Sequence, residues 1–387
     1  MSVATSAGEF TLDVYKEILK TSENKNVFMS PTSILVVMAM VQAGSKNETR
    51  KQLLNALKIK HEDQKKILQE FESFVKVLKQ GSQSVTLETA NRLYPDEGKD
   101  ILAEYLNAVS KHFASEVKPL DFKSNPEGSR VEINKWVEEV TRNKIKNILK
   151  EGSINQLTRL VLVNAIYFKG NWETQFKPES TKKDTFNLFG GGSIQVDMMK
   201  GEMKKVRYGV NRKLGCKVLH LPYVGTEMVM VVILPDDVNG LPTLEKSLDA
   251  SSLTDLIEDV HSPTVNVSLP KFKLESSFEL KETLSALGMA DVFDEVKADL
   301  SGMGSDLYLS QVFHKAFVDV NEEGTEAAAA TAAVIRTRSM PAPPQVFKAD
   351  HSFMFMIWHY KLAAPLFIGR YVHPEPGSEG AQKHDEL

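Results

Sequence analysis

The chain has 387 residues, of which 42% are hydrophobic and 25% charged, with a net charge of −4. That length can bury about 75% of the unfolded surface, and the charge balance lacks the basic excess of a general nucleic-acid binder. A single cysteine, Cys216, excludes an intrachain disulfide and a Cys-rich zinc site, and its default reading is a small buried hydrophobe.

The first residues, Met1 to Gly8, have neither the basic nor the apolar region of a signal peptide. Phe10, Val14, Tyr15 and Ile18 mark one face of a helix. Ile34, Val37, Met38 and Val41 mark another, started by Ser30-Pro31. The run Ile34 to Val41 is the longest strongly apolar one and falls far short of the ~18 residues of a membrane span. Residues 62–80 form a mixed-charge amphipathic helix with Ile67, Phe71, Phe74, Val75 and Leu78. Its Lys65, Lys66, Lys76 and Lys79 read as a solvated face, with a heparin or nucleic-acid patch as the minor alternative. Ile133, Trp136, Val137 and Val140 share a further helical face.

The middle is richer in strands. Leu160 to Phe168 is β-prone and mostly apolar, as a strand covered on both faces should be. Met228 to Leu234 is a second such run, ended by Pro235-Asp236-Asp237. Leu280, Leu284 and Leu287 make a helix stopped by Gly288. Phe353 to Trp358 and Leu366 to Val372 are short strands. No βαβ alternation appears, so the fold class is α+β.

Gly324 to Ala333 is almost entirely small residues, followed by Val334 to Met340 and then Pro341-Ala342-Pro343-Pro344. A flexible alanine-rich linker is one reading. The prolines forbid helix or central strand, which makes the end an exposed extended loop, and its Arg336 and Arg338 a natural protease target.

Motifs for catalysis are missing: there is no HExxH, no P-loop, no GxSxG and no EF-hand loop. Gly190-Gly191-Gly192 lacks dinucleotide spacing and reads as a loop. His351 and His359 read as satisfied or exposed histidines rather than ligands. The chain is expected not to be an enzyme and to need no cofactor or metal. The ending His384-Asp385-Glu386-Leu387 is an endoplasmic-reticulum retention address. Either a signal peptide has been removed upstream or the ending is an accident; the complete terminal match favours the first.

Several separate segments, in order, resemble the serpins. They are Asn26 to Ile34, Asn164 to Trp172, Leu269 to Phe272, Asp350 to Ile357, Pro365 to Arg370 and, most specifically, His314-Lys315-Ala316 with Asn321 to Ala328. The resemblance implies a serpin fold of three β-sheets with surrounding helices, one domain over 1–374 and a tail over 375–387. It also implies an exposed reactive loop at about 323–344. Leu269 to Phe272 is expected to be a strand of the central sheet. Ser30, Ser33, Asn164 and His314 match the polar cluster beneath the opening of that sheet. Trp172, Lys271 and Glu322 match the place where the loop first enters, and Glu322, Gly324, Thr325, Ala327 and Ala329 match the hinge.

Serpins trap proteases by inserting the cut loop as a new strand. Strand side chains alternate faces. One face of this loop carries Thr325, Ala327, Ala329, Thr331 and Ala333, all small and uncharged, while Glu326 falls on the other. The family's spacing, seventeen residues counted from Glu322, makes Arg338–Ser339 the reactive bond. Arginine fits a specificity pocket holding a carboxylate. Arg336–Thr337 is a possible second bond.

The implied function is suicide inhibition of an arginine-specific serine protease in the secretory pathway, by a monomer whose partners are that protease and a retention-signal receptor. A trypsin-like target accepts Arg338 alone. A proprotein convertase prefers arginine where Ile335 stands and a basic residue where Thr337 stands. The alternative is a non-inhibitory serpin acting as an endoplasmic-reticulum chaperone. Asn47 and Asn266 begin glycosylation sequons.

Overall fold

The computed structural model describes residues 3–80, 85–324 and 343–374. Its helices are α1 (Val3–Leu19), α2 (Pro31–Ala43), α3 (Asn47–Ala56), α4 (Gln64–Lys79), α5 (Ala103–Phe113), α6 (Pro126–Val140), α7 (Leu241–Ser247), α8 (Ala250–Glu258) and α9 (Lys281–Ala286). The strands are β1 (Val27–Met29), β2 (Val85–Pro95), β3 (Glu116–Val117), β4 (Leu160–Gly170), β5 (Lys182–Asn187), β6 (Ser193–Met203), β7 (Arg207–Asn211) and β8 (Cys216–Pro222). They continue with β9 (Met228–Pro235), β10 (Val265–Pro270), β11 (Phe272–Glu279), β12 (Gln311–Val320), β13 (Gln345–Lys348), β14 (Phe353–His359) and β15 (Ala364–Tyr371).

Among the described residues these strands form three sheets, ordered β1-β15-β14-β9-β8-β7, β13-β10-β6-β5 and β11-β12-β4-β2-β3. This is the α+β arrangement of three sheets with surrounding helices that the sequence implies.

The local causes are visible at α2. The Ser30 hydroxyl caps it by accepting from Ser33 N–H, and Pro31 fills the first helical position, where no donor is needed. The sequence suggests one apolar face, but residues 31–42 are all buried. The difference arises because α1, the hairpin strand β15 and the central strand β4 all pack on α2. The helix expected at 62–80 is α4, capped by Asp63, with Ile67, Phe71, Phe74 and Val75 inside. Gly288, at φ +97°, follows α9 as expected.

One expectation is corrected. Leu269 and Pro270 end β10 in the four-stranded sheet, not in the central one. Lys271 is the corner, and only Phe272 begins β11 of the central sheet. Pro270 sits opposite Met198, and Lys271 N–H still donates to Asp197 O at 2.8 Å, so the ladder runs one bond past the proline before the chain crosses to the central sheet.

The five-stranded sheet is covered on both sides. Leu160, Leu162, Ile166 and Phe168 of β4 face the main core. Val161, Val163, Ala165 and Tyr167 face a second cluster that includes Ile133 and Val137 of α6. This double burial explains the continuous apolar run in the sequence.

Candidate functional site: the opening of the central sheet

The central sheet joins β12 and β4 in parallel, from Gln311↔Val161 to Phe317↔Tyr167. Beyond that pair the ladder stops. Strand β12 continues to Val320 against β11 alone, and β4 continues to Gly170 against β2 alone. The sheet is therefore open at one end, between its two central strands. Parallel pairs are slightly weaker per residue than antiparallel ones, so this seam is the natural place for a further strand.

The chain leaving β12 turns back at that opening. Asn321 and Gly324 exchange backbone hydrogen bonds of 3.1 and 3.2 Å across Glu322 and Glu323. Gly324 thus pairs antiparallel with Asn321 on one side and with Asn171, just past β4, on the other. Its φ is +115°, and a Cβ there would stand 2.4 Å from Gly170 O and 2.5 Å from Trp172 N. Only glycine fits so close to two backbones.

The turn is held from several sides. The Trp172 indole N–H donates to Asn321 O (2.9 Å), and Trp172 stacks on Tyr223 at 4.7 Å. Trp172 N–H donates to Glu323 O (3.0 Å), and Phe176 N–H to Glu322 O (2.9 Å). The buried Glu322 carboxylate receives Lys271 Nζ at 2.9 Å and the Thr181 hydroxyl at 2.8 Å. Burial pushes its pKa upward, but these hydrogen bonds together outweigh burial and hold it below the ordinary range. Two buried polar atoms here, the Tyr223 hydroxyl and Asn171 Oδ1, have no partner among the described residues.

Lower in the sheet, polar residues form a row through the core. Asn91, Asn164 and His314 lie side by side on β2, β4 and β12. Asn164 Nδ2 donates to Asn91 Oδ1 (2.5 Å), and Asn164 Oδ1 accepts from Ser33 Oγ (2.8 Å). His314 Nε2 accepts from Ser30 N–H at 3.1 Å, so the ring proton sits on Nδ1, which donates to Asn164 Oδ1 at 2.5 Å. Ser30 Oγ donates to Leu366 O (2.7 Å) and Thr32 Oγ1 to Pro365 O (2.6 Å), tying α2 to the C-terminal hairpin. Satisfied buried polar groups of this kind fix one arrangement, because any displacement leaves one of them unpaired.

Complete burial drives the His314 pKa down to about 3. The neutral ring is the folded form, so its contribution to stability is full above about pH 6.5, the unfolded value. It is lost as pH falls from there toward 3. Of order 3 kcal/mol should disappear between pH 6.5 and 4. Buried His220, depressed to about 4, acts in the same direction. Thermal melts from pH 7 to 4 should therefore show a smaller fall in Tm for His314→Gln, which keeps polar atoms but does not titrate, than for the wild type. Parallel pH profiles would contradict this.

The structure thus brings Ser30, Ser33, Asn164 and His314 together, and separately Trp172, Lys271, Glu322 and Gly324. The sequence reading missed Asn91, Thr32, Thr181 and Tyr223. Asn91 and Thr181 reach these groups only through strand register and chain crossing, and no local motif marks them. Asn47 is exposed at the start of α3, with its amide donating to Asp299 at 2.7 Å. Asn266 is exposed on β10 between Val346 and Glu202. Cys216 is a buried thiol pushed up to about 12 by burial. His351 is buried between Asp350 and Pro235 O. Thr325, Ala327, Ala329, Ile335, Arg336, Thr337, Arg338 and Ser339 lie outside the described residues, as do His384, Asp385, Glu386 and Leu387.

Comparison with known families supports the same architecture. The family model described as Serpin (serine protease inhibitor) matches residues 5–374. The chain belongs to the serpin family. It is 41% identical over 381 residues to a protein named Leukocyte elastase inhibitor from Xenopus tropicalis, covering 96% of this chain and 100% of that one. Among solved structures, uncleaved ovalbumin superposes with a TM-score of 0.87 at 32% identity, covering 97% of this serpin and 100% of ovalbumin. Serpin48 of the insect Tenebrio molitor superposes with a TM-score of 0.85, also at 32% identity, covering 96% and 98% of the two chains.

Proposed function

We propose that this serpin inhibits an arginine-specific serine protease as a suicide substrate. One observation carries the reading: Gly324 already lies between the ends of β12 and β4, antiparallel to both. A strand continuing from Gly324 down the seam would replace one parallel pair by two antiparallel ones. The unpaired Tyr223 hydroxyl and Asn171 Oδ1 stand at the head of that seam, where an added strand can supply partners.

In the proposed reaction the protease serine Oγ attacks the Arg338 carbonyl and passes its proton to the catalytic histidine. The amide bond to Ser339 breaks, and the Ser339 amine leaves with that proton. An ester then joins the protease to Arg338. Fourteen residues separate Thr325 from Arg338 inclusive. At about 3.4 Å per residue their insertion carries the protease ~48 Å along the sheet before water hydrolyses the ester. The relatives named elastase inhibitors suggest a different target, but an elastase pocket is small and does not fit arginine. Arg338 therefore favours a trypsin-like target, or a proprotein convertase despite Ile335 and Thr337.

Insertion is tested by cutting the loop at Arg338. About fourteen new backbone hydrogen bonds, at roughly 1 kcal/mol each, should raise Tm by more than about ten degrees at this chain length. An unchanged Tm would contradict insertion.

The tail favours a location. His384 to Leu387 is proposed to hold the protein in the endoplasmic-reticulum lumen through a retention-signal receptor. With a working signal peptide added, deleting these four residues should move most of the protein to the medium. Equal secretion of both forms would contradict it. The tail also suits the second reading, a lumenal chaperone, but a chaperone has no use for a glycine already paired at the head of an open seam.

A further inference from the structure

An open hollow of about 530 Å³ lies where the C-terminal end of α1, helix α7 and the β5–β6 loop meet near the end of β15. Each of the first three elements turns an apolar side chain to it: Leu19, Pro242 and Phe189. Pro242 is exposed and Phe189 is 39% exposed, so this apolar surface is uncovered in the described fold. The charged groups around it are mainly cationic: Lys16, Lys20, Lys246 and Arg370 face Glu23 and Glu245. Glu245 is already engaged. It accepts from the Tyr15 hydroxyl at 2.7 Å and from Arg370 Nη1 at 3.1 Å, a buried pair that cancels its own charge. Lys16 Nζ donates to Leu248 O (2.5 Å) and Lys246 O (3.2 Å), carbonyls that leave its charge uncompensated. Lys20 meets Glu17 at 2.6 Å but stays 69% exposed. Among the described residues no carboxylate pairs with Lys16 or Lys246. The surface therefore favours an anion with an apolar side chain.

The chain leaves the fold beside this hollow. Asn26 Oδ1 accepts from Val372 N–H (2.8 Å) and His373 N–H (3.0 Å), and Asn26 Nδ2 donates to His373 O (2.6 Å). Asn24, two residues away, lines the hollow. Thirteen residues follow Pro374. They carry the acids Glu375, Glu379, Asp385 and Glu386 against a single lysine, Lys383, and their only large apolar side chain is Leu387. Fully extended they span ~43 Å, and as a flexible chain containing Gly377 and Gly380 they span about 20 Å. Either length reaches the hollow from Asn26.

We infer that the hollow holds the chain's own C-terminus. Leu387 packs against Leu19, Phe189 and Pro242, and its carboxylate lies with Glu386 at Lys20 and Lys246. The inference takes His384 to Leu387 as the end of the chain and so rests on the retention reading. A short flexible tether gives an effective concentration on the order of mM. A contact too weak to hold a free peptide therefore keeps the tethered tail docked, and the chain's own tail outcompetes that of a second copy. A receptor that reads the last four residues cannot engage them while they are docked. The hollow thus sets how much of the address is displayed, and whatever frees the tail increases retention.

The test is the rate at which carboxypeptidase Y removes Leu387 from the full chain, followed by mass spectrometry beside a free peptide of residues 375–387. At low salt the full chain should lose Leu387 about tenfold more slowly than the peptide. The double variant Lys20→Glu/Lys246→Glu should lose it at close to the peptide's rate. Both lysines are exposed, and a melt checks that the variant is folded. If it is not, Phe189→Ser, at the lip, takes its place with the same expectation. Protection should also shrink at 1 M NaCl, where the screening length falls to about 3 Å. Equal rates for wild type and peptide overturn docking, and protection that survives both variants overturns the site. Protection that rises with protein concentration assigns the hollow to a second copy's tail and overturns docking within one chain. With a working signal peptide, the double variant should be secreted about twofold less than the wild type, and an unchanged fraction overturns the masking. The digestion needs no receptor. A chain secreted equally with and without His384 to Leu387 therefore counts against the retention reading alone and leaves the docking test intact.

Discussion

Arg338→Ala is expected to slow inhibition of trypsin by about a thousandfold. A trypsin-like specificity pocket holds a buried carboxylate that arginine pairs with. Alanine leaves that charge buried and unpaired. Truncating one partner of such a pair costs about 2–5 kcal/mol, and about 4 kcal/mol corresponds to about a thousandfold in rate. The check is the second-order rate constant for loss of trypsin activity, measured beside a melt that shows the variant folded. An unchanged rate would move the reactive bond, most directly to Arg336–Thr337.

Thr325→Arg should turn the inhibitor into a substrate. Gly324 already stands between β12 and β4, so Thr325 is the next residue an inserting strand must bring in. Alternation places it on the small, uncharged face of the loop, with Ala327 and Ala329. The sheet is buried on both faces. An arginine carried there without a partner costs several kcal/mol, which slows insertion a hundredfold or more. Hydrolysis of the acyl-enzyme then wins. Trypsin should cut this variant at Arg338–Ser339 at close to the wild-type rate, be released active, and consume many inhibitor molecules per enzyme. A stoichiometry that stays near one would place Thr325 outside the inserted strand.

The residues differ in how far they announce these roles. Helix α4 and strands β4, β9 and β14 are legible because their burial follows their own local periodicity. Helix α2 is legible as a helix but not in its full burial, which depends on elements from distant parts of the chain closing around it. Strands β5, β6 and β7 escape a periodicity reading because charged residues such as Lys182, Asp197 and Arg207 stand on their exposed sides, and β5 and β7 are edge strands. Pro270 marks a real boundary, but sequence alone does not say that the chain changes sheets there. In the polar row, Ser30, Ser33, Asn164 and His314 were reached by family resemblance, whereas Asn91 needs the β2–β4 register. At the opening, Gly324 could be singled out as a hinge glycine. That it is already paired on both sides follows only from the turn at Asn321, whose carbonyl the Trp172 indole holds from the far end of β4.

The central claim is that loop cleavage and insertion trap the protease covalently. It is tested most directly by mixing the intact chain with trypsin and running the product on a denaturing gel. The account predicts an SDS-resistant band near the combined mass of the two proteins, less the fragment released after Arg338, formed at close to one inhibitor per enzyme. A gel showing only cleaved chain and free, fully active trypsin, with the same outcome for other arginine-specific serine proteases, would contradict it.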